Sequence, residues 1–185
     1  MLSKYLFCCL SALSLLTATA HAKEETTTGE RVYGWVEKGI VMPLGAIVKM
    51  KLDTGALTSS MHADDIEIYT IDADEHGVRF TLELEDQHSG KMIKRRMDLE
   101  VERYIIVRGA GGEDRRPVVK LPLCIGDRVY TEQFSLRNRN NMNYPVLLGR
   151  RTLQDLGLVN SKATFLTKPE CEIPAKRAKK AGKAD

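Results

Sequence analysis

Val78-Arg79-Phe80-Thr81-Leu82-Glu83-Leu84 alternates apolar and polar side chains with period two. Only an extended chain puts every second residue on one face, so this run specifies a half-buried β-strand. Asp86-Gln87-His88-Ser89-Gly90 follows as a turn cluster, and Met92 to Val101 resumes a strand-like pattern rich in charge, which together make a half-exposed hairpin. Further strands are expected over Arg31 to Lys38, Ala46 to Leu52, Thr58 to Ala63, Tyr104 to Val107, Pro117 to Leu123 and Val129 to Leu136. Helical periodicity is scarce. Arg150 to Leu156 fits one short helix with Gly157 as its stop. The chain shows no internal repeat, and the fold class is mainly β.

The two ends read differently. Lys4, the apolar stretch Tyr5 to Ala18 and the small-residue triplet Ala20-His21-Ala22 predict a secretory signal peptide over 1–22, with Lys23 as the mature start. That stretch is short for a bilayer span, so no membrane span is expected after cleavage, and a periplasmic location follows. Cys8 and Cys9 have further apolar chain downstream, which argues against a lipid-modified cysteine. Residues 23–30 are a polar, Thr-rich leader, 31–166 one domain, and 167–185 a basic disordered tail containing Lys176-Arg177-Ala178-Lys179-Lys180. The tail reads as solubilising, with contact to an anionic surface as the alternative. Of 185 residues the net charge is only +3, which does not call for a nucleic-acid partner. Cys124 and Cys171 survive cleavage. An oxidising compartment permits a disulfide between them, and a small buried Cys124 is the other reading.

The chemistry centres on Leu52-Asp53-Thr54-Gly55-Ala56. An apolar, basic strand delivers a carboxylate onto a sharp turn, Gly55 lets the backbone fold tightly, and Thr54 sets a hydroxyl beside it. Alone, such a turn is most often structural. Pro145-Val146-Leu147-Leu148-Gly149-Arg150, a strand running into the short helix, can brace the turn from behind. Between them lies a hairpin whose glycine-rich tip, with Gly109, Gly111 and Gly112, is free to move. One such turn and one such brace are present in the chain.

Asp53 to Ala63, Arg116-Pro117-Val118, Asn138-Arg139 and Met142 to Arg150 resemble the retropepsin-like family once labelled "ATP-dependent zinc protease", whose members include partners of RimK-type glutamate ligases. The likeness runs from about Gly34 to Leu166. More distantly the pattern is similar to retroviral proteases. The resemblance implies a closed, antiparallel β barrel with a flap hairpin and one short C-terminal helix, dimerising so that Asp53 meets its copy. It also implies an aspartic endopeptidase acting on a peptide or protein substrate. Asp53, Thr54 and Gly55 would form the catalytic turn, with Thr54 tying the two turns together. Ala56, His62, Gly109, Gly111, Gly112 and Arg116 would contact substrate, and Leu147, Leu148, Gly149 and Arg150 would form the brace.

His62 could point into the cleft or bond a nearby loop; both roles stay open. Besides it the mature chain has only His76 and His88, in turn-rich sequence, with no His-Glu-x-x-His helix and no zinc-finger cysteine spacing. No glycine-rich loop with Lys-Ser/Thr appears either, so no metal and no cofactor is expected. Arg108, Arg115, Arg116, Arg137, Arg139, Arg150 and Arg151 gather near flap and brace. They are either solvated charge or a grip for acidic peptides. Two rival functions remain: a non-catalytic peptide-binding module of the same fold, and a zinc-dependent hydrolase built on His62 with Asp53, Asp64 or Asp65.

Overall fold

The computed structural model describes residues 30–109 and 112–172. The signal peptide, nearly all of the leader, Gly111 and the tail beyond 172 lie outside the described residues. Eleven strands and one helix follow in order: β1 Val32–Val41, β2 Ala46–Leu52, β3 Ser59–His62, β4 Asp64–Thr70, β5 His76–Glu85, β6 Met92–Glu100, β7 Arg103–Gly109, β8 Gly112–Ile125, β9 Arg128–Arg137, β10 Val146–Leu148, α1 Arg150–Leu156 and β11 Leu158–Thr164.

Eight strands form one sheet in the order β11-β1-β2-β10-β3-β9-β8-β7. The sheet closes on itself because β1 also pairs with β8, through Gly39↔Ile125, Ile40↔Cys124 and Val41↔Leu123. Closure joins β1, β2, β10, β3, β9 and β8 into a ring and leaves β7 and β11 as its edge strands. The mainly β, closed, retropepsin-like fold is therefore present. Its sheet is mixed rather than wholly antiparallel, since β1–β11, β2–β10 and β3–β9 run parallel. One of these pairings shapes the loop that carries Asp53, and it involves β10. This strand inserts between β2 and β3, parallel to one and antiparallel to the other. Residues 53–58 therefore cannot close a tight hairpin and bow outward as a wide loop.

The barrel interior is filled by Met50, Leu52, Met61, Val119, Leu121, Phe134, Val146 and Leu148, all at most 2% exposed. A second, antiparallel sheet β4-β5-β6 lays Val78, Phe80, Leu82 and Leu84 onto this core. Each such side chain contributes about 1.5–3 kcal/mol of burial. The alternation in β5 thus marks the face that holds the small sheet to the barrel. Two strands come in addition to those expected, β4 and β11. The packed region also runs past Leu166. Buried Glu37 accepts the amides of Leu166 and Thr167 at 2.9 and 3.1 Å, Glu170 N–H donates to Gly126 O at 2.8 Å, and Cys171 is disulfide-bonded to Cys124. Residues 167–172 are accordingly a strap on the domain, not the start of a loose tail.

Candidate active site

The pleat of β2 buries Met50 and Leu52 and turns Lys51 outward. Asp53 leaves the strand on that outward side. Its amide donates to Leu148 O at 2.8 Å, which continues the β2–β10 ladder by one rung. Gly55 N–H donates to Asp53 Oδ1 at 3.0 Å, and Ala56 N–H to Asp53 O at 3.2 Å. The carboxylate is thus aimed by its own turn and stays about a quarter exposed (24%).

Arg150 and Gly149 contact the turn from β10 and the start of α1. Arg150 reaches back with one guanidinium nitrogen to Thr54 O and Gly55 O, both at 3.0 Å, and its amide bonds Ala56 O at 2.9 Å. Gly149 packs so tightly that a Cβ would sit 2.6 Å from the carbonyl of Thr58. Behind it runs a hydrogen-bond relay with a fixed direction. Gly149 N–H donates to Ser59 Oγ (3.0 Å), Ser59 bonds Thr152 Oγ1 (2.8 Å), and Thr152 donates to Glu132 Oε2 (2.9 Å). Thr152 spends its one proton on Glu132, so Ser59 is the donor to Thr152. Burial raises the Glu132 carboxyl, Thr152 lowers it and Asp155 raises it again, for a net rise.

Burial alone would raise the Asp53 carboxyl. The Lys51 ammonium, 3.0 Å from Oδ2, and the amides of Gly55 and Ala56 outweigh it and hold the group below the ordinary carboxylate value. A second cation stands nearby. Arg139, 8% exposed, donates to Tyr144 O at 3.1 Å and has no carboxylate in contact among the described residues. Burial lowers its affinity for its proton, Arg137 and Arg116 push the same way, and Asp53 pulls back. Arg116 is itself 8% exposed and bonded to Asp114 at 2.7 Å.

The other expected site residues separate into two groups. Thr54 and Gly55 are exposed on the turn, and Thr54 makes no side-chain hydrogen bond among the described residues. Gly109 and Gly112 face each other at the end of the β7–β8 hairpin, where Gly112 takes φ +101°, a conformation open to glycine. Leu147 is half-buried and Leu148 fully buried beside the turn. His62 is different. It is 4% exposed, accepts Arg139 N–H on Nδ1 at 3.0 Å and so carries its proton on Nε2, which donates to Asp64 at 3.1 Å. With both ring nitrogens engaged, the geometry supports the structural one of its two roles. The zinc reading lacks a donor set too: no group of three His, Cys, Asp or Glu among the described residues could hold a metal ion.

Lys51 is the functional neighbour that the sequence reading passed over. Its signal was present, because two residues apart on a strand means a shared face. The Ser59–Thr152–Glu132 relay had no local signal, since its members lie up to 93 residues apart.

A closed β barrel with an exposed Asp-Thr-Gly turn and a hairpin ending in Gly109 and Gly112 defines a retropepsin-like fold. A family model described as RimB-like, retropepsin-like aspartic endopeptidase RimB, matches residues 32–170, and the chain belongs to that family. It is 32% identical over 141 residues to a probable alpha-L-glutamate ligase of Shewanella pealeana, covering 73% of this chain and 30% of that protein. A ligase of the same name from Shewanella halifaxensis is 30% identical over the same length and shares. The chain therefore spans about 30% of the length of these curated relatives. Among solved structures, a Legionella pneumophila protein of unknown function (DUF785) is 32% identical, with a TM-score of 0.60, covering 74% of this chain and 98% of that one.

Proposed function

We propose that this chain is an aspartic endopeptidase that hydrolyses peptide bonds with a water activated by two Asp53 carboxylates, one from each subunit of a homodimer. The observation that carries the reading is the presentation of Asp53 on an exposed, glycine-bearing turn locked to Leu148 and Arg150. Two carboxylates a few ångströms apart do not both ionise easily, so the pair keeps one proton. The ionised member takes a proton from water as the water oxygen bonds to the scissile carbonyl carbon. The protonated member donates to the carbonyl oxygen. Collapse then breaks the C–N bond, with a proton delivered to the leaving amine.

Several features support the dimer. Thr54, Leu57 and Leu158 face an open groove of about 570 Å³ beside the turn, and both leucines are 51% exposed. A second copy of this chain would cover them. Lys51 on Asp53, and Arg139 within electrostatic reach of it, favour peptides with acidic side chains. The relatives named as glutamate ligases direct attention to glutamate-containing peptides as the substrate class. The signal-like residues 1–22 and the Cys124–Cys171 disulfide support export to the periplasm.

The test is mass spectrometry of a peptide library that includes oligoglutamate, incubated with the mature chain, with Asp53→Asn, and with a chelator. Cleavage that vanishes in Asp53→Asn and survives chelation is expected. A folded Asp53→Asn protein with full activity would sink the proposal. One observation favours a second reading, the non-catalytic peptide-binding module: Lys51 already neutralises Asp53. That reading expects peptide binding without cleavage, unchanged by Asp53→Asn.

A further inference from the structure

We infer that Lys51 gates this site: in the free protein its ammonium occupies Asp53, and a substrate carboxylate bound beside the scissile bond draws it away. The inference rests on the aspartic peptidase reading and adds to it a specificity-determining residue that acts through Asp53.

Register places the parts. Leu147 pairs with Lys51 on one side and with Ser60 on the other, so the three form one row across β2, β10 and β3 on the side where Asp53 emerges. Lys51 Nζ lies 3.0 Å from Asp53 Oδ2, with the Lys51 side chain 37% exposed. Ser60 is 6% exposed and its Oγ is buried with no hydrogen-bond partner. A buried hydroxyl without a partner is unusual. The row is thus a cation, an apolar step and an unanswered hydroxyl. An acidic side chain laid over Leu147 would rest its methylene groups on the leucine and present its carboxylate to Lys51.

The charge balance gives the row its second role. Of the cations near Asp53, Arg150 is engaged on the carbonyls of Thr54 and Gly55, and Arg139 on Tyr144 O. Lys51 is the one in contact with the carboxylate. An ammonium on each Asp53 favours a dyad with both members ionised, which has no proton to give the scissile carbonyl. When a substrate carboxylate takes the ammonium, like-charge repulsion within the dyad returns and one proton is held. A neutral side chain leaves Lys51 where it is. Selectivity therefore falls on kcat as well as on KM.

The experiment compares two peptides that differ only by Glu or Gln beside the scissile bond, against wild type, Lys51→Met, Lys51→Arg, Ser60→Ala and Asp53→Asn. Wild type is expected to favour the Glu peptide in kcat/KM by about tenfold or more. Lys51→Met should abolish that ratio, raise kcat on the Gln peptide and move the acid limb of the pH–rate profile upward. Lys51→Arg should restore the ratio, and Ser60→Ala, which removes a hydroxyl buried out of reach of a ligand, should leave it unchanged. Calorimetric binding of both peptides, made uncleavable by reducing the scissile amide to a methyleneamine, to wild type and Lys51→Met reads the binding share of that preference without turnover. A Glu/Gln ratio that Lys51→Met leaves intact, in cleavage or in binding, overturns the inference. Cleavage that persists in Asp53→Asn overturns the peptidase reading instead.

Discussion

The amide of Asp53 donates to the carbonyl of Leu148 at 2.8 Å, and through that bond a late strand holds an early turn. The two residues are far apart in sequence and meet because β10 inserts between β2 and β3. The turn inherits the rigidity of the barrel interior, where Leu52 and Leu148 are at most 2% exposed. A carboxylate aimed in this way loses little to reorganisation when substrate arrives.

Gly149→Ala tests that hold. The added methyl would stand 2.6–2.8 Å from the backbone N, C and O of Thr58, which has no flexible end to yield. A cost of about 1–3 kcal/mol is expected from overpacking. The brace should shift with it, so peptidase activity falls more steeply than stability. Urea denaturation beside a cleavage assay checks both, and unchanged stability would show that β10 can move away without consequence.

Thr152→Val probes the relay behind the brace. The substitution keeps the shape and removes the hydroxyl that joins Ser59 to Glu132. It leaves a half-buried carboxylate without its donor, which costs about 1–3 kcal/mol. Thr152→Ser should restore most of the loss. Equal stability of the Val and Ser variants in denaturant would mean that water replaces the hydroxyl.

Cys171→Ser addresses the strap. The disulfide closes a separation of 47 residues, so its removal should cost about 2–4 kcal/mol of stability. Glu37 still accepts from Leu166 and Thr167, so the domain should remain folded with a lower melting temperature. Thiol titration of the unreduced wild type should find neither Cys124 nor Cys171 free. Two free thiols there would remove the strap's main anchor.

How much of this was legible in the sequence depends on the range of each interaction. The β5–β6 hairpin, the Asp53 turn, α1 and its Gly157 stop are written in local period and turn chemistry, and they lie where expected. β4 carries Ile66 and Ile68 at period two, but acidic neighbours mask them. β11 has almost no apolar signal, because it is an edge strand whose pairing partner β1 supplies its order. His62 could not be placed from its neighbours, since its tautomer is set by the amide of Arg139, 77 residues on. The boundary at 166 misled for a similar reason: a polar segment stays on the domain through Glu37, Gly126 and Cys124, none of which is near it in sequence.

Asp86 supplies a pH dependence with a definite sign. It is 8% exposed and anchors the β5–β6 turn to β2, accepting Ile47 N–H at 2.9 Å, Ser89 N–H at 3.0 Å and the Ser89 hydroxyl at 2.7 Å. Burial acts to raise its carboxyl; the Ser89 hydroxyl and the amides of Ile47, Ser89 and His88 outweigh that and hold it below the ordinary 3.8. A carboxyl depressed in the folded state contributes stability that is complete above its unfolded value and is lost as pH falls through the folded one. Wild type should therefore lose stability below about pH 4, and Asp86→Asn should show a shallower acid slope. At neutral pH Asp86→Asn should be less stable by about 1–3 kcal/mol, because an amide oxygen accepts these bonds less strongly than a carboxylate. Urea midpoints measured from neutral pH down to pH 3 (assay settings, roughly spanning the window) decide it. Parallel wild-type and Asp86→Asn curves would show that this carboxylate does not set the acid limit.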